Sequence, residues 1–142
     1  MPSGPPVKPP DPFLPAFFLD RGLGRHYVAD AIRSQGGAVL CMGDVFPNDG
    51  QRVPDPEWIR RADAEGWAAL TKDRRLLRDH RREIARSSLH IFIIPDSHLT
   101  GDQMADRVVV NWKRILEKCE QPGPFAYSLR PDRLELLYPA PS

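Results

Sequence analysis

The chain has few cysteines, almost no net charge and no long hydrophobic run. Its 142 residues include two cysteines and carry a formal net charge of +1. No apolar stretch approaches the roughly 18 residues of a membrane span, which argues against a transmembrane protein. Two cysteines do not form the disulfide framework of a small secreted domain, so we expect Cys41 and Cys119 to be reduced thiols in the core of a cytoplasmic protein. The low net charge requires that any nucleic-acid binding depend on a local basic cluster.

The chain also lacks a histidine and cysteine set with the spacing of a zinc site, and it lacks a basic and apolar secretory leader. Its prolines are concentrated near one end: seven of the sixteen lie at or before Pro15, where they disfavour both helix and sheet. We therefore expect a disordered leader over 1–14, a single domain over 15–138 and a short tail over 139–142. A chain of this length suffices for one domain with a substantial core.

What the chain does contain is an alternation of short apolar runs and helical patterns. The predicted elements, in chain order, are strand 17–19, helix 25–35, strand 38–42, polar loop 43–54, helix 55–65, strand 67–70, basic helical segment 74–86, strand 89–94, helix 100–119 and hairpin 125–138. This order predicts an α/β fold, namely a three-layer α/β/α domain with a mostly parallel central sheet and a C-terminal hairpin. One apolar stripe on the last long helix is predicted to pack in the core; it consists of Met104, Val108, Trp112, Ile115 and Cys119.

Acidic side chains follow or flank the predicted strands. Asp20 comes directly after the first strand and Asp73 after the third, while Asp55 and Glu57 begin the helix between them. The carboxyl ends of parallel strands meet at one edge of the sheet, where ligands collect. Clustered carboxylates repel one another, and a divalent cation relieves that repulsion. Because all the ligands are oxygens, the pattern favours Mg²⁺ or Mn²⁺.

Each acid also has a purely structural explanation. Asp55, followed by a proline, is predicted to be the N-cap of its helix, and Asp73 is suited to cap the basic segment. Asp20 is harder to explain in this way, because a carboxylate after an apolar strand is costly unless it is paired or bound. An ion pair of Asp20 with Arg21 or Arg25 remains an alternative.

The segment 72–86 is strongly basic. Its seven basic residues are Lys72, Arg74, Arg75, Arg78, Arg81, Arg82 and Arg86. Beside an acidic site, such a segment is suited to hold a polyphosphate backbone. The alternative is a solvated helix face whose charges pair locally.

Three blocks of this sequence together resemble the PIN-like domains related to the VapC toxins of bacterial toxin–antitoxin modules. The blocks are Phe17 to Asp20, then Asp55-Pro56-Glu57-Trp58-Ile59 with Ala62 and Gly66-Trp67, and then Leu70-Thr71-Lys72-Asp73. The resemblance covers roughly 16–94, and the spacing of the blocks is more specific than any block alone.

The resemblance implies a metal-dependent ribonuclease in which Asp20 and Asp73 hold Mg²⁺ or Mn²⁺ and Asp55 or Glu57 completes the acid set. It further implies a homodimer and a cognate antitoxin that occupies the active-site groove. The residues expected to bind RNA phosphates are Arg21, Arg25, Lys72, Arg74 and Arg75.

The chain departs from the usual pattern of that family in two places. The helical acid stands at the very start of its helix, so the choice between Asp55 and Glu57 is open. A fourth acid is not obvious: Asp96, after a later strand, is the positional candidate for a metal ligand, and Asp44 is a weaker one. The number of metal ions, one or two, therefore stays open as well.

Two competing interpretations remain. A catalytically inactive PIN-like module would bind nucleic acid or protein without cleaving it. A different α/β metal protein would also place aspartates at strand ends, but a dehalogenase-like phosphatase needs an acid where Gly22 stands, and a receiver domain does not place its lysine beside the acid as Lys72 and Asp73 are placed. These two departures favour the nuclease.

Overall fold

The computed structural model describes residues 11–24, 26–96 and 98–140. The strands are β1 (Phe17–Leu19), β2 (Val39–Cys41), β3 (Ala68–Thr71), β4 (His90–Ile93), β5 (Phe125–Leu129) and β6 (Leu134–Tyr138). The helices are α1 (Tyr27–Ser34), α2 (Met42–Val45), α3 (Asp55–Glu65), α4 (Leu76–Asp79), α5 (Arg81–Ala85) and α6 (Gly101–Cys119), with short 3₁₀ helices at Arg21–Leu23 and Pro47–Gly50.

The six strands form one sheet in the order β2-β1-β3-β4-β5-β6. Every neighbouring pair is parallel except β5 and β6, which form the antiparallel C-terminal hairpin. The carboxyl ends of β1, β3, β4 and β5 therefore lie along the same edge. The predicted α/β/α fold with a mostly parallel sheet and a terminal hairpin is confirmed.

Each face of the sheet buries its own hydrophobic cluster, because successive strand residues point to opposite sides. Phe17 and Leu19 pack with residues of α1 and α6 on one face. Phe18 packs with residues of α2 to α5 on the other face. This arrangement gives three layers, and it leaves the loops at the carboxyl edge to form a surface between the two helical layers.

Helix α6 follows its sequence pattern closely. Thr100 is the N-cap and forms a capping box with Gln103. The Thr100 hydroxyl accepts from the Gln103 N–H, and the Gln103 side chain accepts from the Thr100 N–H. The predicted stripe is buried apart from its half-buried last member, Cys119. Cys41 and Cys119 form no disulfide, and burial raises the pKa of the Cys119 thiol to about 12. None of the described helices has the length and apolar composition needed to cross a membrane.

The start of α3 differs from its prediction. Its N-cap is Pro54, and the helix already includes Asp55. The Asp55 carboxylate accepts a hydrogen bond from Nε1 of Trp58 at 2.8 Å rather than from a backbone N–H at the helix start. The N-cap role predicted for Asp55 is therefore wrong, and its side chain is directed elsewhere. Gly66 ends the helix as predicted, with a left-handed φ of 73° that favours glycine.

Two other predicted segments are more structured or more broken than expected. Helix α2 begins at Met42, the last residue of the predicted strand 38–42, and runs into the predicted polar loop 43–54, which also contains a 3₁₀ turn. The Asp44 carboxylate accepts from the Cys41 N–H at 2.7 Å and holds the start of α2. The basic segment is not one helix: His80, at φ −129° and ψ 35°, separates α4 from α5.

Chain contacts with the domain begin before Pro15. The Asp11 N–H donates to the Gly36 carbonyl at 2.9 Å, and Leu14 packs against the core. The predicted disorder of residues 1–10 and the last two residues of the predicted tail lie outside the described residues.

Candidate active site

Asp20 lies at the carboxyl end of β1, where its two carboxylate oxygens have different partners. Oδ1 accepts from the N–H of Arg21 at 2.7 Å. Oδ2 accepts from the hydroxyl of Thr71, on the neighbouring strand β3, at 2.8 Å. The side chain is thereby fixed at the edge of the sheet by one backbone group and one hydroxyl.

Thr71 connects two of the predicted acids. It is completely buried, with 0% exposure, and its hydroxyl oxygen also accepts from the N–H of Asp73 at 3.0 Å. A single hydroxyl therefore fixes the Asp20 carboxylate and the turn that carries Asp73. Sequence reasoning treated Thr71 only as part of a strand-end motif and missed this role.

The electrostatic surroundings of Asp20 oppose its ionisation. Burial raises the pKa of the Asp20 carboxyl above 3.8, while the bonds from Thr71 and from the Arg21 N–H lower it, and the negative charge of Asp55 raises it again. The influence of Asp55 shows that the two carboxylates share one electrostatic environment. A cation between or beside them would favour the ionised form of both.

Asp55 reaches this site from the first residue of α3. Besides accepting from Trp58, it lies 3.2 Å from Nε2 of His80 through its other oxygen. His80 therefore positions Asp55 from the break between α4 and α5, a role that the sequence did not indicate. Glu57, two residues further along α3, is exposed.

Asp73 follows β3, beside the strand that carries Asp20. Its Oδ1 accepts from the N–H of Arg75 at 2.9 Å, which stabilises the turn before α4. The predicted capping role of Asp73 is wrong, because the N-cap of α4 is Arg75 and no side chain caps that helix. Asp73 instead holds the turn before α4, and its Oδ2 accepts no hydrogen bond from any described residue.

The candidates for a fourth acid have other partners. The Asp96 carboxylate lies 2.7 Å from Nη1 of Arg107, on α6. The hydrogen bond and charge of Arg107 hold the pKa of Asp96 below its ordinary value. Asp44 holds the backbone of Cys41, as described above.

The acids do not form a closed metal cage. Within 11–24, 26–96 and 98–140, no group of three or more His, Cys, Asp or Glu side chains is close enough to hold a metal ion. Mg²⁺, however, is ordinarily held by one or two carboxylates together with waters and substrate phosphates. The Asp20 and Asp55 carboxylates, with oxygen ligands only and a shared unfavourable charge, fit such an open site.

Basic residues follow the acids directly in the chain. Arg74 and Arg75 are exposed directly after Asp73. The stem of Lys72 passes over Gly22, where an added Cβ would lie 3.3 Å from its Cγ. The Arg21 guanidinium donates to the carbonyls of Gly50 and Gln51, so it ties the 3₁₀ turn to the site. Arg25 lies outside the described residues.

Comparison with known proteins places the site in a family context. A family model described as a PIN like domain matches residues 15–96. The chain is 27% identical over 124 residues to a Mycobacterium tuberculosis protein named "Putative ribonuclease VapC45", with 85% of this chain and 90% of that protein covered. No solved structure matches the chain. The range matched by the family model includes the acids that follow β1, β3 and β4.

Proposed function

The chain belongs to the PIN-like domain family, and we propose that it is a metal-dependent endoribonuclease that hydrolyses RNA phosphodiesters. The observation that carries this proposal is that the acids after the neighbouring strands β1 and β3 share one anchor at the carboxyl edge of the sheet: the Thr71 hydroxyl donates to the Asp20 carboxylate and accepts from the Asp73 N–H. The similarity to a protein named as a ribonuclease supports RNA as the substrate.

Asp20 and Asp73 are the proposed ligands of Mg²⁺ or Mn²⁺, with Asp55 completing the acid set. Asp55 is favoured over Glu57 because its charge acts on Asp20, whereas Glu57 is exposed. Asp96 is the least supported of the predicted metal ligands, since Arg107 already neutralises it. When bound, the metal would polarise the phosphodiester and lower the pKa of a water molecule that attacks phosphorus.

The protein's own contribution is to hold the acids in place and to offset part of the cost that burial imposes on the charged form of Asp20. The Thr71 hydroxyl and the Arg21 N–H favour the carboxylate form of Asp20. His80 and Trp58 orient Asp55.

Lys72, Arg74 and Arg75, which flank Asp73 in the chain, are the proposed contacts to RNA phosphates. Such contacts position the strand without reading its sequence. Charge reversal of Arg74 and Arg75 together is expected to weaken RNA binding and to flatten its salt dependence.

The test is cleavage of a structured RNA by purified protein with Mg²⁺, with Mn²⁺ or with chelator. Wild type is expected to cleave only with metal, while Asp20→Asn and Asp73→Asn are expected to retain the fold and lose cleavage. Asp79→Asn is the matched control, because Asp79 is a neighbouring acid on α4 that pairs with Arg78. Full activity in either acid variant would remove that residue from the site. Absence of cleavage by folded wild type under every condition would favour the inactive binding module.

We further propose that the protein is a toxin of a toxin–antitoxin module, that it acts in the cytoplasm, and that its partner is a cognate antitoxin. The relative named VapC45 supports this assignment. The homodimer is likewise a proposal, and sedimentation of the purified protein tests it.

A further inference from the structure

A short polar segment lies beside the acids at the carboxyl edge of the sheet. It consists of residues 47–51, of which Pro47–Gly50 form the second 3₁₀ helix. Helix α2 leads into this segment from the carboxyl end of β2, the parallel neighbour of β1. Helix α3, which begins at Asp55, follows it in the chain. The segment, called the 47–51 turn below, therefore lies between the strand beside Asp20 and the helix that carries Asp55.

Arg21 attaches the 47–51 turn to the end of β1. Its guanidinium donates to the carbonyls of Gly50 and Gln51. Its N–H donates to the Asp20 carboxylate at 2.7 Å. The backbone of the turn therefore lies within the reach of one arginine side chain from the residue that follows Asp20, and the same residue contacts both.

The 47–51 turn is also fixed from its inner side. Gly50 is buried with a left-handed φ of 67°, and an added Cβ there would collide with the side chain of Met42. The Gln51 N–H donates to the Asn48 carbonyl at 3.1 Å. The Val53 N–H donates to the Gly50 carbonyl at 3.0 Å. The backbone of the turn is thus held both by its own hydrogen bonds and by contacts with neighbouring elements.

Two side-chain amides on this turn are free. Asn48 and Gln51 are exposed, and no described residue forms a hydrogen bond with either carboxamide. Asn48 adopts a left-handed φ of 55°, a conformation that asparagine tolerates better than most residues. Each carboxamide offers two N–H donors and one carbonyl acceptor. The fixed backbone therefore presents donors and acceptors beside the acids with no partner in the folded chain.

The chemistry of these amides suits bases better than phosphates. Carboxamides are neutral and combine donor and acceptor, and they pair with the donors and acceptors on base edges. The basic residues proposed to hold RNA phosphates do not read sequence, since phosphates are the same in every nucleotide. Sequence-specific RNA recognition mostly uses single-stranded segments, whose base edges are accessible. A pair of free amides beside the acids is thus suited to choose which nucleotides reach them.

We propose that the 47–51 turn reads the RNA sequence, and that the Asn48 and Gln51 amides hydrogen-bond to the edge of an unpaired base next to the cleaved phosphodiester. The proposal rests on the ribonuclease function given above and narrows its substrate to single-stranded segments of RNA. Arg21 is a positioning residue that keeps the turn beside Asp20. The amides bind the base and take no part in breaking the phosphodiester bond.

The test is cleavage of a pool of RNA hairpins with a randomised single-stranded loop and a fixed stem, in Mn²⁺, followed by sequencing of the cut ends. Wild type is expected to cut within the loop and to prefer one base near the cut. Asn48→Gly, which keeps the left-handed backbone, and Gln51→Ala are each expected to lower the ratio of kcat/KM for preferred over other loops by about tenfold. Cleavage of the other loops is expected to stay within about twofold of wild type.

The matched control is Gln121→Ala. Gln121 is an exposed glutamine between α6 and β5, so it lies near the amino end of the strands, at the opposite edge of the sheet. This variant is expected to keep the base preference of wild type. An equal loss of preference in Gln121→Ala would show an effect unrelated to the turn and would overturn the proposal.

The positioning role of Arg21 has a separate readout. Arg21→Met removes both guanidinium bonds to the turn, so trypsin is expected to cut after the exposed Arg52 faster than in wild type. Base preference is expected to fall in the same variant. Unchanged proteolysis after Arg52 together with unchanged preference would overturn the positioning role.

The proposal and the nuclease function fail in different ways. Wild type that cuts loops of every sequence equally would overturn base reading and leave the nuclease standing. Unchanged preference in both Asn48→Gly and Gln51→Ala would have the same meaning. A folded wild type that cuts no RNA of the pool with metal would overturn base reading together with the proposed function.

Discussion

Replacing Thr71 by valine tests whether one buried hydroxyl holds the candidate site together. Valine keeps the volume of threonine but removes both hydrogen bonds, the one given to Asp20 at 2.8 Å and the one accepted from the Asp73 N–H at 3.0 Å. A hydrogen bond to a charged group contributes about 1.5–3 kcal/mol, and an unpaired buried N–H adds a further cost. We expect the free energy of unfolding at neutral pH to fall by about 2–4 kcal/mol.

The loss should depend on pH in a defined direction. The Thr71 bond lowers the pKa of Asp20, so the valine variant has a higher folded pKa than wild type. When the folded pKa of a carboxyl lies above its unfolded pKa, stability is lost as the pH rises from the unfolded pKa through the folded pKa. The deficit of the variant is therefore smallest in acid, where Asp20 is protonated, and full at neutral pH. The acid limb of metal-dependent cleavage should move to higher pH for the same reason.

Urea unfolding at pH 7 and near pH 3.5 measures both effects, with Thr71→Ser as control. Serine keeps the hydroxyl and loses one buried methyl group, for which about 1 kcal/mol is expected. A Thr71→Val variant within about 0.5 kcal/mol of wild type at pH 7, or a Thr71→Ser variant as destabilised as Thr71→Val, would show that the hydroxyl does not hold the site together.

Two further predictions concern α6. Arg107→Met leaves Asp96 and the Leu129 carbonyl without their partner, so we expect a loss of roughly 2 kcal/mol in urea unfolding, discounted for the partial exposure of the pair. Because the folded pKa of Asp96 is lowered, this loss of stability should be full above about pH 3.8 and shrink as the pH falls further. A loss that grows in acid would contradict the ion pair of Asp96 with Arg107. Since the pKa of the Cys119 thiol is about 12, a thiol reagent at pH 8 should react slowly with native protein and stoichiometrically after denaturation; rapid reaction of Cys119 in the native protein would show that the thiol is not buried.

The fold could be predicted from the sequence because its elements are local. Apolar runs ended by glycine or by a carboxylate mark the strands, and Gly66 marks the end of α3 through a conformation that only glycine adopts easily. Asp20 could also be singled out from local sequence, since a carboxylate directly after a buried strand needs a partner. These signals lie within a few residues of one another.

The parts that sequence reasoning missed depend on contacts between distant segments. Asp55 was misassigned as an N-cap because its actual partner His80 lies 25 residues away. His80, which makes this contact, also lies at the break between α4 and α5. The helical composition of the basic segment did not indicate that break. Arg107 was missed because its partners, Asp96 and the Leu129 carbonyl, lie on other segments of the chain.

The measurement that tests the central claim most directly is a titration of Mn²⁺ followed by the electron paramagnetic resonance of the free ion. Wild type, Asp20→Asn and the Asp79→Asn control are compared at the same protein concentration. Saturable binding is expected in wild type and the control, and affinity reduced at least tenfold in Asp20→Asn, since one of few carboxylate ligands is lost. Equal binding in all three proteins, or no binding in wild type, would contradict a metal site at the carboxyl end of β1.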